Sequence, residues 1–217
     1  MIDSYKTVGE NTYEMIKKDI IFGNLKPLKK LKLNELKINY KTSISTLREI
    51  LSRLSGDGFV VYEEQKGFYV SPVSESDLKE IANLRILIES HALKYSLENS
   101  NPDWEGSLLA AHHKLNLYEN KLLKNKTEER SNWKRYDSEF HQTLVRNCNS
   151  NNLIELHKLI FDKYLRYQLL VLTFRGSGSI EEHKKLLDYS LERNFKKAQM
   201  VLEEHIQNGI IHANKSF

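Results

Sequence analysis

Four side chains invite a chemical reading together: Asp137, His141, His183 and His205. Asp137 and His141 lie four residues apart, so on a helix both project from one face. His183 and His205 are 22 residues apart and fall on successive predicted helices. Three imidazoles and one carboxylate make a donor set for Zn²⁺, with Ni²⁺ or another first-row divalent ion as alternatives. Such a set leaves coordination positions for water or a ligand. Spacing alone leaves a surface Asp–His pair open, because the chain offers eight histidines to choose from. The same residues could activate water in a metalloenzyme. Against that reading, the chain has no His-Glu-x-x-His and no Glu-x-x-His, and no general base is evident beside the set.

A second constellation lies earlier. Thr42-Ser43-Ile44-Ser45-Thr46-Leu47-Arg48 begins a predicted helix with short hydroxyl side chains, which suit close approach to phosphates and bases. Arg48 can present a forked contact to phosphate or guanine. Lys66, in the Gln65-Lys66-Gly67 tip of a predicted hairpin, can touch an adjacent phosphate backbone. The plainer alternative is that Ser and Thr only cap a helix. Lys26, Lys29, Lys30, Lys32, Lys37 and Lys41 crowd the segment just before, opposed only by Glu35. A lysine run of this kind also reads as a solvated face.

These residues need elements to position them, and the breakers show where those elements lie. The 217 residues include only 9 Gly and 3 Pro. That is too few for an all-β chain of tight turns, and no Gly-rich turn of a doubly wound nucleotide fold is supplied. The expected class is mostly α. Residues 1–73 hold most of the breakers and are predicted to form a winged helix-turn-helix, in which the second helix of the pair enters the major groove. Its helices are placed at Thr12–Phe22, Leu33–Tyr40 and Ser43–Ser55, with Leu47, Ile50, Leu51 and Leu54 as the buried stripe of the third. The strands are Phe59–Tyr62 and Phe68–Val70. Residues 74–217 are predicted to form an all-α helical bundle, with helices near 75–99, 103–124, 127–147, 151–174, 180–193 and 195–213. Ser179 and Glu182 match a capping box, which puts His183 in the first turn of its helix. Trp104 and Trp133 read as packing residues, and Cys148 as a small core residue. His91, His112, His113, His157 and His212 receive no role. No apolar run reaches transmembrane length and Met1–Glu10 lacks a signal-peptide stretch, so no membrane partner is expected. With a single cysteine, a reducing, cytoplasmic location is expected.

Ile16, Asp19-Ile20-Ile21-Phe22-Gly23, Leu25 and Pro27, then Leu31, Leu33 and Glu35-Leu36, then Ser43 through Leu51 with Arg53-Leu54 and Gly58-Phe59-Val60, resemble the GntR family of bacterial transcription regulators. Gly67-Phe68-Tyr69-Val70 extends the likeness through the wing. The resemblance implies binding to double-stranded operator DNA through Ser43, Ser45, Thr46, Arg48 and Lys66. It departs from the family at Ile44, where Arg is frequent, and at Thr46-Leu47, where Pro-Val is usual. An apolar Ile44 can meet a thymine methyl but cannot hydrogen-bond a base. Asp137-Ser138-Glu139-Phe140-His141, Glu182-His183, Glu204-His205 and Leu84-Arg85 with Ile88-Glu89 resemble the FadR-type ligand-binding domain called FCD. That likeness implies a metal on Asp137, His141, His183 and His205, a small carboxylate effector clamped by Arg85, and a homodimer. For Arg85 the alternative is an exposed or bundle-edge salt bridge with Glu89. For the whole chain the alternative is a DNA-binding protein with a purely structural metal.

Overall fold

The computed structural model describes residues 7–170 and 174–213. They divide into two compact units, Met1–Ser74 and Glu75–Phe217.

The first unit contains α1 (Val8–Ile21), α2 (Leu33–Tyr40), α3 (Ile44–Gly56), β1 (Val60–Glu63) and β2 (Gly67–Val70). The first helix starts four residues earlier than its apolar periodicity predicts. Thr7 and Glu10 form a capping box: the Glu10 amide donates to Thr7 Oγ1 at 3.2 Å and the Thr7 amide to Glu10 Oε2 at 2.7 Å. That reciprocal satisfaction of two orphan donors carries the helix through Gly9. In α3, Leu47, Ile50, Leu51 and Leu54 are buried as predicted, and Ser43 caps it by accepting the Thr46 amide at 3.1 Å. The hairpin pairs Val60 with Val70 and Glu63 with Gly67. Gly67 takes φ +94°, a left-handed backbone that favours glycine at the end of the turn. A feature absent from the sequence reading is the backbone of Leu28–Leu31, which runs beside β2: the Leu31 amide donates to Phe68 O and the Val70 amide to Lys29 O. This strip fastens the lysine-rich segment to the wing.

The second unit is helical: α4 (Glu75–Glu98), α5 (Pro102–Leu123), a 3₁₀ turn (Thr127–Glu129), α6 (Arg130–Val145), α7 (Asn151–Leu170), α8 (Ser177–Leu191) and α9 (Phe195–Ala213). Asn101 caps α5 by accepting the Trp104 amide, with Pro102 at the first helical position where its missing N–H costs nothing. The end predicted for the fourth helix of the bundle falls partly on 171–173, outside the described residues. Helix α4 packs on α7 and α9, and α5 packs on α6 and α8, so α4, α6, α8 and α9 can aim side chains at a shared interior. The capping box expected at Ser179 and Glu182 does not form. Gly176, at φ +72°, starts α8, and Ser179 Oγ donates to Gly176 O at 3.0 Å. His183 therefore lies in the second turn, and Glu182 is released for another partner. Among the described residues no helix is long and apolar enough to cross a membrane.

Candidate functional site

Helix α6 carries Asp137 and His141 one turn apart on its inner face, α8 carries His183, and α9 carries His205. All four are buried, and one potential ligand atom from each lies within 4.8 Å of the others. Ring centroids are 4.5 Å apart for His183–His205, 5.3 Å for His141–His205 and 5.6 Å for His141–His183. The four sequence-predicted donors therefore converge.

Each imidazole is held by a carboxylate on its outer nitrogen. His141 Nδ1 is 2.5 Å from Glu89 Oε1, His183 Nδ1 is 2.7 Å from Glu119 Oε1, and His205 Nδ1 is 2.8 Å from Glu182 Oε2. A carboxylate on Nδ1 fixes ring orientation and leaves Nε2 as the donor nitrogen, the usual support of a metal-bound histidine. The inner atoms lack hydrogen bonds: His141 Nε2, His183 Nε2 and Asp137 Oδ2 are buried without one, although His183 Nε2 comes within 3.4 Å of Asp137 Oδ1. Leaving such atoms bare costs about 1–3 kcal/mol apiece. A divalent cation would satisfy all of them, so the residues present fit the ion.

The electrostatics point the same way. Burial works to raise the Glu89 carboxyl, yet Arg85 and His141 hold it well below the usual range. Burial opposes ionisation of Asp137 as well, and Lys134 with His183 overrides it. Burial and the neighbouring His183 push His205 well down, and burial lowers His141 despite Glu89. His183 goes the other way: burial would lower it, but Glu119 and Asp137 carry it up to about 9. Three carboxylates are paired with cations here: Glu89 with Arg85, Glu182 with Arg175, and Asp137 with Lys134. Glu119 faces only His183, and its Oε2 has no partner. Burial pushes Lys134 down to about 7, so Arg85 and Arg175 are the fixed cations of the cluster against four carboxylates, and the balance falls to a protonated His183 or to a bound cation.

Arg85 is neither exposed nor at the bundle edge. Its side chain is fully buried, its Nε lies 2.8 Å from Glu89 Oε2, and its guanidinium is packed against the Phe161 and Tyr164 rings at 4.5 and 4.7 Å. Nη1 and Nη2 have no hydrogen-bond partner. Residues missed in the sequence are Glu89, Glu119, Glu182, Arg175 and Lys134, together with His157, whose Nε2 is 3.3 Å from Glu89. The Glu119–His183 contact spans 64 residues and leaves no local signature. Glu182 directly precedes His183, and its capping-box spacing from Ser179 masks its role as the partner of His205.

The first unit presents a groove of about 1040 Å³ between α3 and the wing, lined among others by Lys30, Lys32, Ile44, Arg48, Tyr62 and Lys66. Arg48 is exposed and makes no ion pair or hydrogen bond among the described residues. Lys66 pairs with Glu63 at 3.0 Å on the exposed hairpin, which raises its pKa. Ser43, Ser45 and Thr46 do not line this groove. Ser43 and Thr46 face each other at 2.9 Å between hydroxyls, so both take part in the helix cap.

Comparison with known proteins matches residues 8–70 to the bacterial regulatory proteins of the gntR family and residues 80–208 to the FCD domain. The helix-turn-helix-type transcriptional regulator BphR of Paraburkholderia xenovorans (strain LB400) is 28% identical over 96% of this chain and 86% of its own. The transcriptional repressor GlaR of Escherichia coli (strain K12) is 29% identical over 89% and 90%. The solved structure of E. coli McbR/YncC shares the fold with a TM-score of 0.80 at 22% identity, covering 97% of this chain and 98% of that one. With a reading head and a helical domain both matched, and with relatives that regulate transcription rather than catalyse, the chain belongs to the GntR family of bacterial DNA-binding transcription regulators, in its FCD-containing branch.

Proposed function

We propose that this regulator is ligand-responsive: a divalent metal on Asp137, His141, His183 and His205 and a small carboxylate effector beside it set its affinity for operator DNA. Zn²⁺ suits the three-nitrogen, one-oxygen donor set, and Ni²⁺ or another first-row ion is the alternative. The single observation that carries the reading is the convergence of inward donor atoms without hydrogen bonds, each imidazole braced by its own carboxylate. When bound, the metal supplies a positive charge to which a carboxylate coordinates. The chain's own residues do the rest. Glu89, Glu119 and Glu182 hold the imidazoles in register, and Arg85 offers Nη1 and Nη2 to an acid group. Arg48 and Lys66 engage the operator from the groove, and Ser43, Ser45 and Thr46 do so from the start of α3. Two copies in a cytoplasmic homodimer would place two reading heads on two half-sites. Likeness to GlaR supports repression as the mode.

A purely structural metal is the second reading, favoured by the small cavity beside the cluster, about 20 Å³. One experiment separates the two. Metal content is measured on the purified chain, and small carboxylates are then titrated while operator release and the thermal midpoint are followed. Metal at one per chain with no response to any carboxylate leaves the structural role. A chain without metal that survives chelation unchanged overturns both.

A further inference from the structure

The cavity beside the cluster is bounded by α6, α7, α8 and α9, with Trp133, Lys134, Asp137, Tyr164, Arg175 and Gly209 in its wall. Its size of about 20 Å³ exceeds the roughly 10–15 Å³ a water molecule needs. Glycine at 209 lets the Tyr164 hydroxyl close against α9, since a Cβ there would lie 2.3 Å from it.

Three cations surround the cluster, and they differ in how far they are committed. Arg175 places both terminal nitrogens on Glu182 and also reaches the His205 carbonyl. Arg85 is tied through Nε to Glu89 and lies outside the cavity wall. Lys134 lies in the wall, is only 2% exposed, and has no hydrogen-bond acceptor among the described residues. Asp137 Oδ2 is 4.0 Å away, beyond hydrogen-bond reach, and the Trp133 ring lies 3.7 Å below. Burying an ammonium without an acceptor is costly. A second donor is in the same position: the Trp133 indole N–H, in the same wall, is buried with no acceptor.

We propose that Lys134 and the Trp133 indole N–H form the seat for the effector's carboxylate. Two donors in one wall, neither with an acceptor, match the two oxygens of one carboxylate group, and an arriving anion favours the ammonium form of Lys134. The assignment adds, beside the free terminal nitrogens of Arg85, a second acid-recognising position at a lysine three residues before Asp137. It rests on the carboxylate-effector reading above and names the residues that carry it.

Formate is the probe, being the smallest carboxylate, and formamide is its neutral counterpart. Both are titrated into the full chain as purified, at fixed pH and ionic strength, with binding read by thermal shift and by broadening of the ¹³C-formate resonance. Metal content is measured in parallel. Formate should bind and formamide should not. Lys134→Met, which keeps length and volume, should weaken formate at least 10-fold when compared with the wild type at equal metal content, in line with the loss of a charge-assisted hydrogen bond. Trp133→Phe should weaken it two- to tenfold, and it decides the matter if the lysine variant fails to fold. No formate binding by the wild-type chain, or binding indifferent to both substitutions, overturns the proposal. Absence of metal counts against the metal reading alone, because the same comparison of formate across the variants still decides the role of Lys134.

Discussion

Glu119 shows how much of the centre depends on residues that never face a ligand. It bonds His183 Nδ1 at 2.7 Å, is fully buried, and has no Lys or Arg partner among the described residues. Glu119→Gln keeps shape but removes the charge that sustains His183. Metal affinity should fall about 10- to 100-fold, the usual cost of losing such a support. Competition against a chromogenic chelator measures it, and an unchanged affinity would remove Glu119 from the site. His183→Ala should go further and abolish stoichiometric retention. Acid should have the same direction of effect in the wild type, since imidazole and carboxylate donors must be deprotonated to bind an ion. Arg85 makes a contrasting prediction. Removing one partner of a buried ion pair leaves the other charge uncompensated, so Arg85→Met should cost about 3–5 kcal/mol of stability. Urea denaturation of the metal-loaded chain checks this, and a loss under 1 kcal/mol would mean that Glu89 finds its compensation elsewhere. At this scale the four inner donors were legible because Asp137 and His141 share a helix face and the other two follow a recognisable local pattern. Their carboxylate braces were not, because Glu89 and Glu119 acquire meaning only when α4 and α5 are laid beside α6 and α8.

At the scale of elements, periodicity located the helices well and local chemistry set their ends. The span of α2 and the buried stripe of α3 followed from apolar spacing alone. The start of α1 did not, because the Thr7–Glu10 box precedes the apolar stripe. Thr7→Ala should therefore destabilise the first unit by about 0.5–2 kcal/mol, the range for losing an N-cap. The Ser179–Glu182 pattern failed for the opposite reason. Glu182 has stronger partners in Arg175 and His205 than an amide at a helix start, and Gly176 supplies the turn instead. Helix α3 and the wing carry a prediction about DNA. Arg48 is uncommitted and faces the groove, so Arg48→Ala should weaken operator binding by about 1–3 kcal/mol if it reads a guanine. If it contacts only phosphate, it should instead lower the slope of log affinity against log salt by about 0.9. Titrations at several salt concentrations on operator and unrelated DNA distinguish the two. Equal loss on both sequences identifies a phosphate contact, and no loss on either dismisses Arg48 from the interface.

For the whole molecule, the division of labour already visible in the breakers has a thermodynamic consequence. The reading head is closed by its own core of Ile16, Ile20, Leu47, Leu51, Leu54 and Phe59, none of which belongs to the helical unit. The helical unit has a core of its own but also buries Glu89, Glu119, Asp137 and Lys134. Buried ionic groups of this kind add little net stability by themselves, and a cation bound at the proposed site would offset their cost. A ligand that binds only the folded state stabilises it by RT ln(1 + [L]/Kd), which is about 4 kcal/mol when free metal exceeds its Kd a thousandfold. Chelation should therefore split the melting of the chain. The transition of the helical unit should move down by several degrees, while that of the reading head stays in place. Calorimetry with and without chelator, repeated on the His183→Ala chain, tests this. The variant should melt like the chelated wild type and ignore added metal. If both transitions move together, the units unfold as one and metal occupancy is coupled directly to the reading head. Such coupling is what an effector acting through the metal centre would need in order to alter operator affinity, because a ligand shifts a conformational equilibrium only by its differential affinity for the two states. Two independent transitions would place the burden on assembly instead: the effector would then have to act through how two copies associate, and the melting midpoint of the helical unit would rise with protein concentration.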